Sequence, residues 1–164
     1  MLPDAHAFLC VVVALPLHLL LLFLVNPANS LVVLGGNADL GQTLTVGVDN
    51  PLGTQSAGSI PLAFVSFAAD PATPCGTSLP GLGMAGPGAL GEVLIDLAGE
   101  SLLFVGGPWA GPNVPAPIPL VIPELPSLVG AQAFVQGALV DPVAAGGVGI
   151  GLTGGLALTL GLGG

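Results

Sequence analysis

Ala131-Gln132-Ala133-Phe134-Val135-Gln136-Gly137-Ala138-Leu139-Val140 and, after a glycine-rich connection, Leu156-Ala157-Leu158-Thr159-Leu160 decide how this chain reads. In the second run Leu156, Leu158 and Leu160 fall on one side and Ala157 and Thr159 on the other, the period-two pattern of a half-buried strand. Both runs are predicted strands, and the segments upstream read as further short strands that cover them. Gly154-Gly155 supplies the positive-φ positions of a tight turn. Gly147, Gly151 and Gly155 also stand at the spacing that lets membrane helices pack closely, a rival reading of Val143 to Gly164. Glycine costs about 1 kcal/mol per residue in a helix, and the leucines alternate at two, so strands are favoured.

Moving outward, Pro115, Pro117 and Pro119 alternate with Val114, Ala116, Ile118 and Leu120, and Ile122-Pro123 follows. Proline cannot donate to a ladder, so this is an edge strand or a polyproline-like crossover, with Val114, Ala116, Ile118, Leu120 and Ile122 on one buried side. A proline-rich ligand for an aromatic groove is the functional alternative. Glu92–Leu97 and Ser101–Val105 read as a hairpin across Ala98-Gly99-Glu100. Asp70 to Gly91 is a long loop rich in proline and glycine. Pro61–Ala68 is a strand with Leu62 and Phe64 on one face and Val65 and Phe67 on the other, which suggests a place between two layers. Thr43–Val48 alternates with Leu44, Val46 and Val48 inward, and Leu31–Leu34 is a short apolar run closed by Gly35-Gly36.

The apolar stretch Ala7 to Val25 is a predicted N-terminal hydrophobic helix. Ala28 and Ser30 fit a small-x-small cleavage site, so residues 1–30 read as a signal peptide with a break after Ser30. A retained membrane anchor through residues 7–25 is the rival. The remaining domain is 31–164.

Composition narrows the possible functions. Charged residues make up 5% of the chain, Lys and Arg are absent, nine residues are acidic, the isoelectric point is about 4.1 and the mean hydropathy is +0.98. Phosphate backbones cannot be neutralised, so nucleic acid is excluded as a partner. A hydrophobic content of 52% argues against disorder, and 27 glycines and 17 prolines argue for short strands and tight turns. Beyond residue 30 there is no His, Lys, Arg or Tyr and one cysteine. Histidine-based triads, Schiff-base lysines and histidine-ligated metals are therefore out of reach, and no enzymatic activity is expected. Glu92 and Asp96 share a strand face but stand ~13 Å apart at ~3.3 Å per residue, too far for paired-carboxylate chemistry.

Three kinds of candidate site remain. Asp39, Asp49, Asp70 and Asp141 lie at predicted turns and carry the hard oxygens calcium takes, although turn aspartates also bond their own backbone. Trp109, in the loop Gly106 to Pro112, could stack on a sugar or cap the core. Cys75 would be an odd thiol in an exported chain, which suggests an intermolecular disulfide or a buried free thiol.

With the strands placed, the chain resembles an uncharacterised glycine-rich β-sandwich module frequent at the C-termini of secreted proteins of environmental bacteria. The resemblance is carried by Leu40-Gly41-Gln42-Thr43-Leu44-Thr45-Val46, Cys75 in its Pro/Gly loop, Ile118-Pro119-Leu120-Val121-Ile122-Pro123, Pro126-Ser127-Leu128-Val129-Gly130, Phe134-Val135-Gln136, Asp141-Pro142 and Leu152 to Gly161. Phe134 stands where that module usually has Tyr, and the module usually carries some basic residues. The resemblance implies a fold and export, and no activity.

The expectation is an all-β, two-sheet antiparallel sandwich, Ig-like or jelly-roll-like, of about seven or eight strands. Its expected role is that of a secreted or cell-surface structural or adhesive component, able to pair with further copies or other surface proteins. A module binding glycans or other extracellular polymers through Trp109 and nearby loops is the alternative. A membrane-embedded β-barrel ranks below it, because six Phe, one Trp and no Tyr leave little for two aromatic girdles.

Overall fold

Leu44, Val46 and Val48, the inward residues of the Thr43–Val48 alternation, are completely buried. The computed structural model describes residues 6–7, 25–73 and 75–162. These form β1 (His6–Ala7), β2 (Leu31–Gly36), β3 (Thr43–Val48), β4 (Ile60–Ser66), β5 (Thr77–Pro80), β6 (Leu90–Val93), β7 (Ser101–Val105), β8 (Ala116–Val121), β9 (Gln132–Val140) and β10 (Ile150–Thr159). One 3-10 turn, Pro126–Leu128, precedes β9. The class is all-β, and every pairing between these strands is antiparallel.

The strands form three sheets where two were expected: a five-stranded sheet ordered β1-β10-β9-β4-β7, a three-stranded sheet β2-β3-β8, and the pair β5-β6. The five-stranded sheet is open, with β1 and β7 as its two edges, so the described strands close no barrel and the membrane-barrel alternative is not the fold. The expected N-terminal helix lies outside the described residues, save that His6 and Ala7 pair with Ala157 and Leu156 as an edge strand. Among the described residues no helix is long and apolar enough to cross a membrane.

The third sheet arises from two local departures. Thr77–Pro80, inside the expected long loop, is a strand whose four residues are all exposed, so no alternation betrays it. It pairs with Leu90–Val93, while Ser101–Val105 pairs with β4, and the expected hairpin between those two segments does not form. Between the two segments the backbone of Leu94 to Asp96 bonds Ala68 and Asp70, and Asp96 Oδ1 accepts the N–H of Ala98 at 2.8 Å and of Gly99 at 3.3 Å in a side-chain turn.

Elsewhere the patterns translate directly. β8 is an edge strand with Ala116, Ile118 and Leu120 buried and Pro117, Pro119 and Val121 exposed. Val114, expected on the buried side, precedes the strand and is exposed. β10 runs from Ile150 straight through Gly154-Gly155, where the register shifts between Leu152 and Gly155 and neither glycine has positive φ. The expected tight turn is therefore an irregularity inside one long strand, and the helical reading of the glycine spacing falls with it. A Cβ on Gly137 would stand 2.8 Å from Val48 Cγ2 and 2.9 Å from Thr153 Oγ1, so glycine is needed there for close approach.

The five-stranded sheet is apolar on both faces. One face presents Ala63, Val135, Leu139, Leu156 and Leu158 to Leu44, Val46 and Val48 of β3 and Ala116, Ile118 and Leu120 of β8, in one continuous core. The opposite face packs Leu62, Phe64, Ala138 and Leu152 against Leu82 and Val93. β4 thus lies between two layers, as its two-sided pattern required.

Candidate functional site

Where the edges β7 and β8 adjoin, the main core opens into a cleft of about 250 Å³. Leu44, Val65, Phe104, Leu120, Val135 and Leu158 form its interior, and Phe67, Leu102, Val121 and Leu125 its mouth; every described residue that lines it is apolar. The four mouth residues are each at least half exposed, from 50% at Phe67 to 66% at Val121.

The prolines account for the opening. Pro117 and Pro119 stand opposite Gly47 and Thr45. Lacking an N–H, they occupy the positions whose backbone nitrogens point away from β3. The outer edge of β8 therefore offers no donor at these positions, and β7 and β8 do not pair although they are neighbours. β7 has no such protection. Leu102, Leu103 and Val105 are each more than half exposed on an edge strand that carries no proline and no charge.

The residues singled out in the sequence lie elsewhere. Trp109 is 1% exposed within the core, and its Nε1 donates to Asp49 Oδ1 at 2.9 Å. It cannot stack on a sugar, because burying the ring in the core satisfied both its apolar area and its one donor. The glycan alternative loses the residue on which it rested.

The four aspartates do not converge, and no cluster of metal-ligating side chains occurs among the described residues. Asp49 also accepts the Asn113 N–H, Asp70 accepts the Ala72 N–H and the Thr77 hydroxyl, and Asp141 accepts the N–H groups of Ser56 and Val143. Asp39 sits in an isolated bridge with Gly161. The calcium reading gives way here to turn-building carboxylates. Cys75 is disulfide-bonded, so it is not a free thiol; the chain's other cysteine, Cys10, lies outside the described residues. Glu92 is buried in β6 whereas Asp96 caps its turn, so the two share no strand face.

A buried polar network was not anticipated. Gln136 Nε2 donates to the carbonyls of Glu92 at 2.7 Å and Thr153 at 3.0 Å, and its Oε1 accepts the Leu94 N–H at 2.9 Å. Asn26 Nδ2 donates to the same two carbonyls, and its Oδ1 accepts the Glu92 N–H. Thr153 Oγ1 accepts the Gly137 N–H, and Ser30 Oγ accepts the Gly154 N–H. Two side-chain amides thus act as surrogate peptide groups, tying β6 to the irregular part of β10. No buried side-chain polar atom lacks a partner among the described residues. Its sequence signal was slight, a Gln within an otherwise apolar strand.

The surroundings of Glu92 and Asp141 shift their carboxyls in opposite senses. Burial raises Glu92 above its ordinary 4.5, so the folded state holds that proton more tightly than the unfolded state. The resulting stabilisation is complete below 4.5 and is lost as pH rises through the raised value. Backbone N–H bonds from Ser56 and then Val143 lower Asp141 below 3.8, so its contribution is present above 3.8 and is lost as pH falls through the lowered value. Glu92→Gln is expected to raise Tm at neutral pH and to flatten its decline above pH 4.5, as thermal unfolding across a pH series will show.

No family model, no curated protein and no solved structure matches the chain.

Proposed function

We propose that the chain is a non-catalytic, exported β-sandwich that serves as a structural or adhesive surface component, adhering through apolar contact. The observation that carries this reading is β7, an unprotected edge on whose face turned away from the cleft Leu103 and Val105 are 55% and 60% exposed. Contiguous exposed apolar surface is a signature of an interaction site, and the other strand at this side of the fold is blunted by proline. The absence of Lys and Arg and the disengagement of Trp109 support adhesion without charge pairing or sugar stacking. The sandwich reading is supported by the shared core of the five- and three-stranded sheets, with β5-β6 as an added layer. Export is supported by the apolar leader and by the resemblance to secreted modules.

The test is adsorption to an alkyl-coated surface. Leu103→Asp combined with Val105→Asp changes two exposed side chains on the β7 face turned away from the cleft, and is expected to lower the adsorbed amount several-fold while leaving Tm within a few degrees. Adsorption equal to wild type would remove the adhesive reading.

A further inference from the structure

We propose that the cleft between β7 and β8 binds one uncharged aliphatic chain. The proposal rests on the reading that this molecule acts through apolar contact, and it names the ligand class.

Three properties of the site select that class. The first is its polarity. Among the described residues every lining side chain is apolar, from Leu44 and Leu158 inside to Leu102 and Val121 at the mouth. A sugar or polar metabolite would surrender its hydration there and gain no hydrogen bond in return. The second is the β8 edge. A peptide strand laid along β8 would meet Pro117 and Pro119, which present no N–H, so that side of the cleft leaves its carbonyls unpaired. An alkyl chain has no such requirement.

The third is charge. The chain has nine acidic residues and no Lys or Arg. A carboxylate or phosphate headgroup at the mouth would find no cation to replace its hydration. Size agrees with these restrictions. About 250 Å³ exceeds the ~150 Å³ of an apolar cavity that takes benzene and falls short of the ~300–1,000 Å³ of drug-sized pockets.

The experiment titrates the full chain with 1-alkanols from hexanol to dodecanol by calorimetry, alongside alkanoates of matched length. The expected result is one site, with affinity tightening about three- to fourfold per added methylene until the cleft is full and then levelling. Alkanoates bind more weakly than the matched alkanols. Leu102→Trp, which narrows the mouth, weakens decanol binding about tenfold, the equivalent of roughly two methylenes. Val121→Trp on the opposite lip does the same and serves if the first variant fails to fold. Val143→Ser, at an exposed position outside the cleft, binds as wild type.

No binding overturns the proposal. So does uptake of several equivalents with no levelling and no response to either Trp variant, which is general surface adsorption, and so do alkanoates that bind more tightly than alkanols. One-site alkanol binding together with unimpaired surface adsorption by the Leu103/Val105 variant would sustain the cleft site while removing the adhesive reading, so the two fail separately.

Discussion

Trp109→Ala is expected to lower unfolding stability by about 3–5 kcal/mol, a large share of the ~5–15 kcal/mol that a domain possesses. Trp109 is the largest of the fully buried side chains, and its removal leaves a cavity in the main core. Its removal also strips a donor from Asp49, a carboxylate 3% exposed that would keep only the Asn113 N–H at 3.0 Å as a side-chain partner. The backbone of the same residue links loops, since the Trp109 N–H bonds Ser59 O and its carbonyl accepts the Gly58 N–H. Trp109→Phe separates the two contributions. It keeps most of the packing and is expected to cost about 1.5–3 kcal/mol, the range for a hydrogen bond to a charged group. Denaturant unfolding of the three proteins measures both numbers. Were Trp109 a sugar platform, Trp109→Ala would fold as wild type.

The second large effect is expected from shortening the chain between Val25 and Leu31. Asn26 and Ser30 are 5% and 0% exposed. A chain beginning at Leu31 loses the Asn26 partners of the Glu92 N–H and of the Glu92 and Thr153 carbonyls. It also loses the Ser30 groups that accept the N–H of Gly154 and of Asp49. Three N–H groups lose their acceptors at about 1–3 kcal/mol each. A chain beginning at Val25 is therefore expected to melt about 10 °C above one beginning at Leu31, a shift that scanning calorimetry resolves easily. The comparison also bears on processing. A break after Ser30 would discard groups that hold β6, β10 and the end of β3 together, whereas a break before Asn26 would keep them. Equal melting temperatures would make Asn26–Ser30 dispensable and leave the break after Ser30 without cost.

What could be read in the sequence was whatever a single strand encodes by itself. Leu44, Val46 and Val48, Ala116, Ile118 and Leu120, and Leu156, Leu158 and Leu160 point inward as their alternation requires, because a buried face forces period two. The alternating prolines allowed an edge strand or a polyproline-like crossover for an equally local reason, and the segment is an edge strand. The two-sided apolar pattern of β4 placed it between layers, although not between which ones. Pairing partners were beyond reach, since they depend on distant residues. Thr77–Pro80 shows no burial pattern, and only Leu90–Val93 makes it a strand. Gly154-Gly155 looks like a turn when read alone, and becomes part of β10 because Gln136, Asn26 and Ser30 satisfy the backbone groups that the irregularity frees.

The candidate site was less legible still. Trp109 and the turn aspartates attracted attention as the residues with chemistry, and the fold spends them on its own loops. The cleft is built from leucine, valine and phenylalanine, ordinary in sequence, and it exists because two edges meet without pairing. Leu102-Leu103-Phe104-Val105 held the available signal: an apolar run without alternation that nothing on its outer side covers.

In the function proposed, the chain works by apolar contact and not by charge. Adsorption of the full chain to alkyl-terminated and to cationic surfaces, each in low salt and in sodium sulfate, tests that most directly. Apolar contact strengthens in sulfate, whereas attraction of a chain of net charge −9 to a cationic surface is screened away. The expected result is uptake on the alkyl surface that holds or grows as sulfate is added. Uptake confined to the cationic surface and abolished by salt would contradict it.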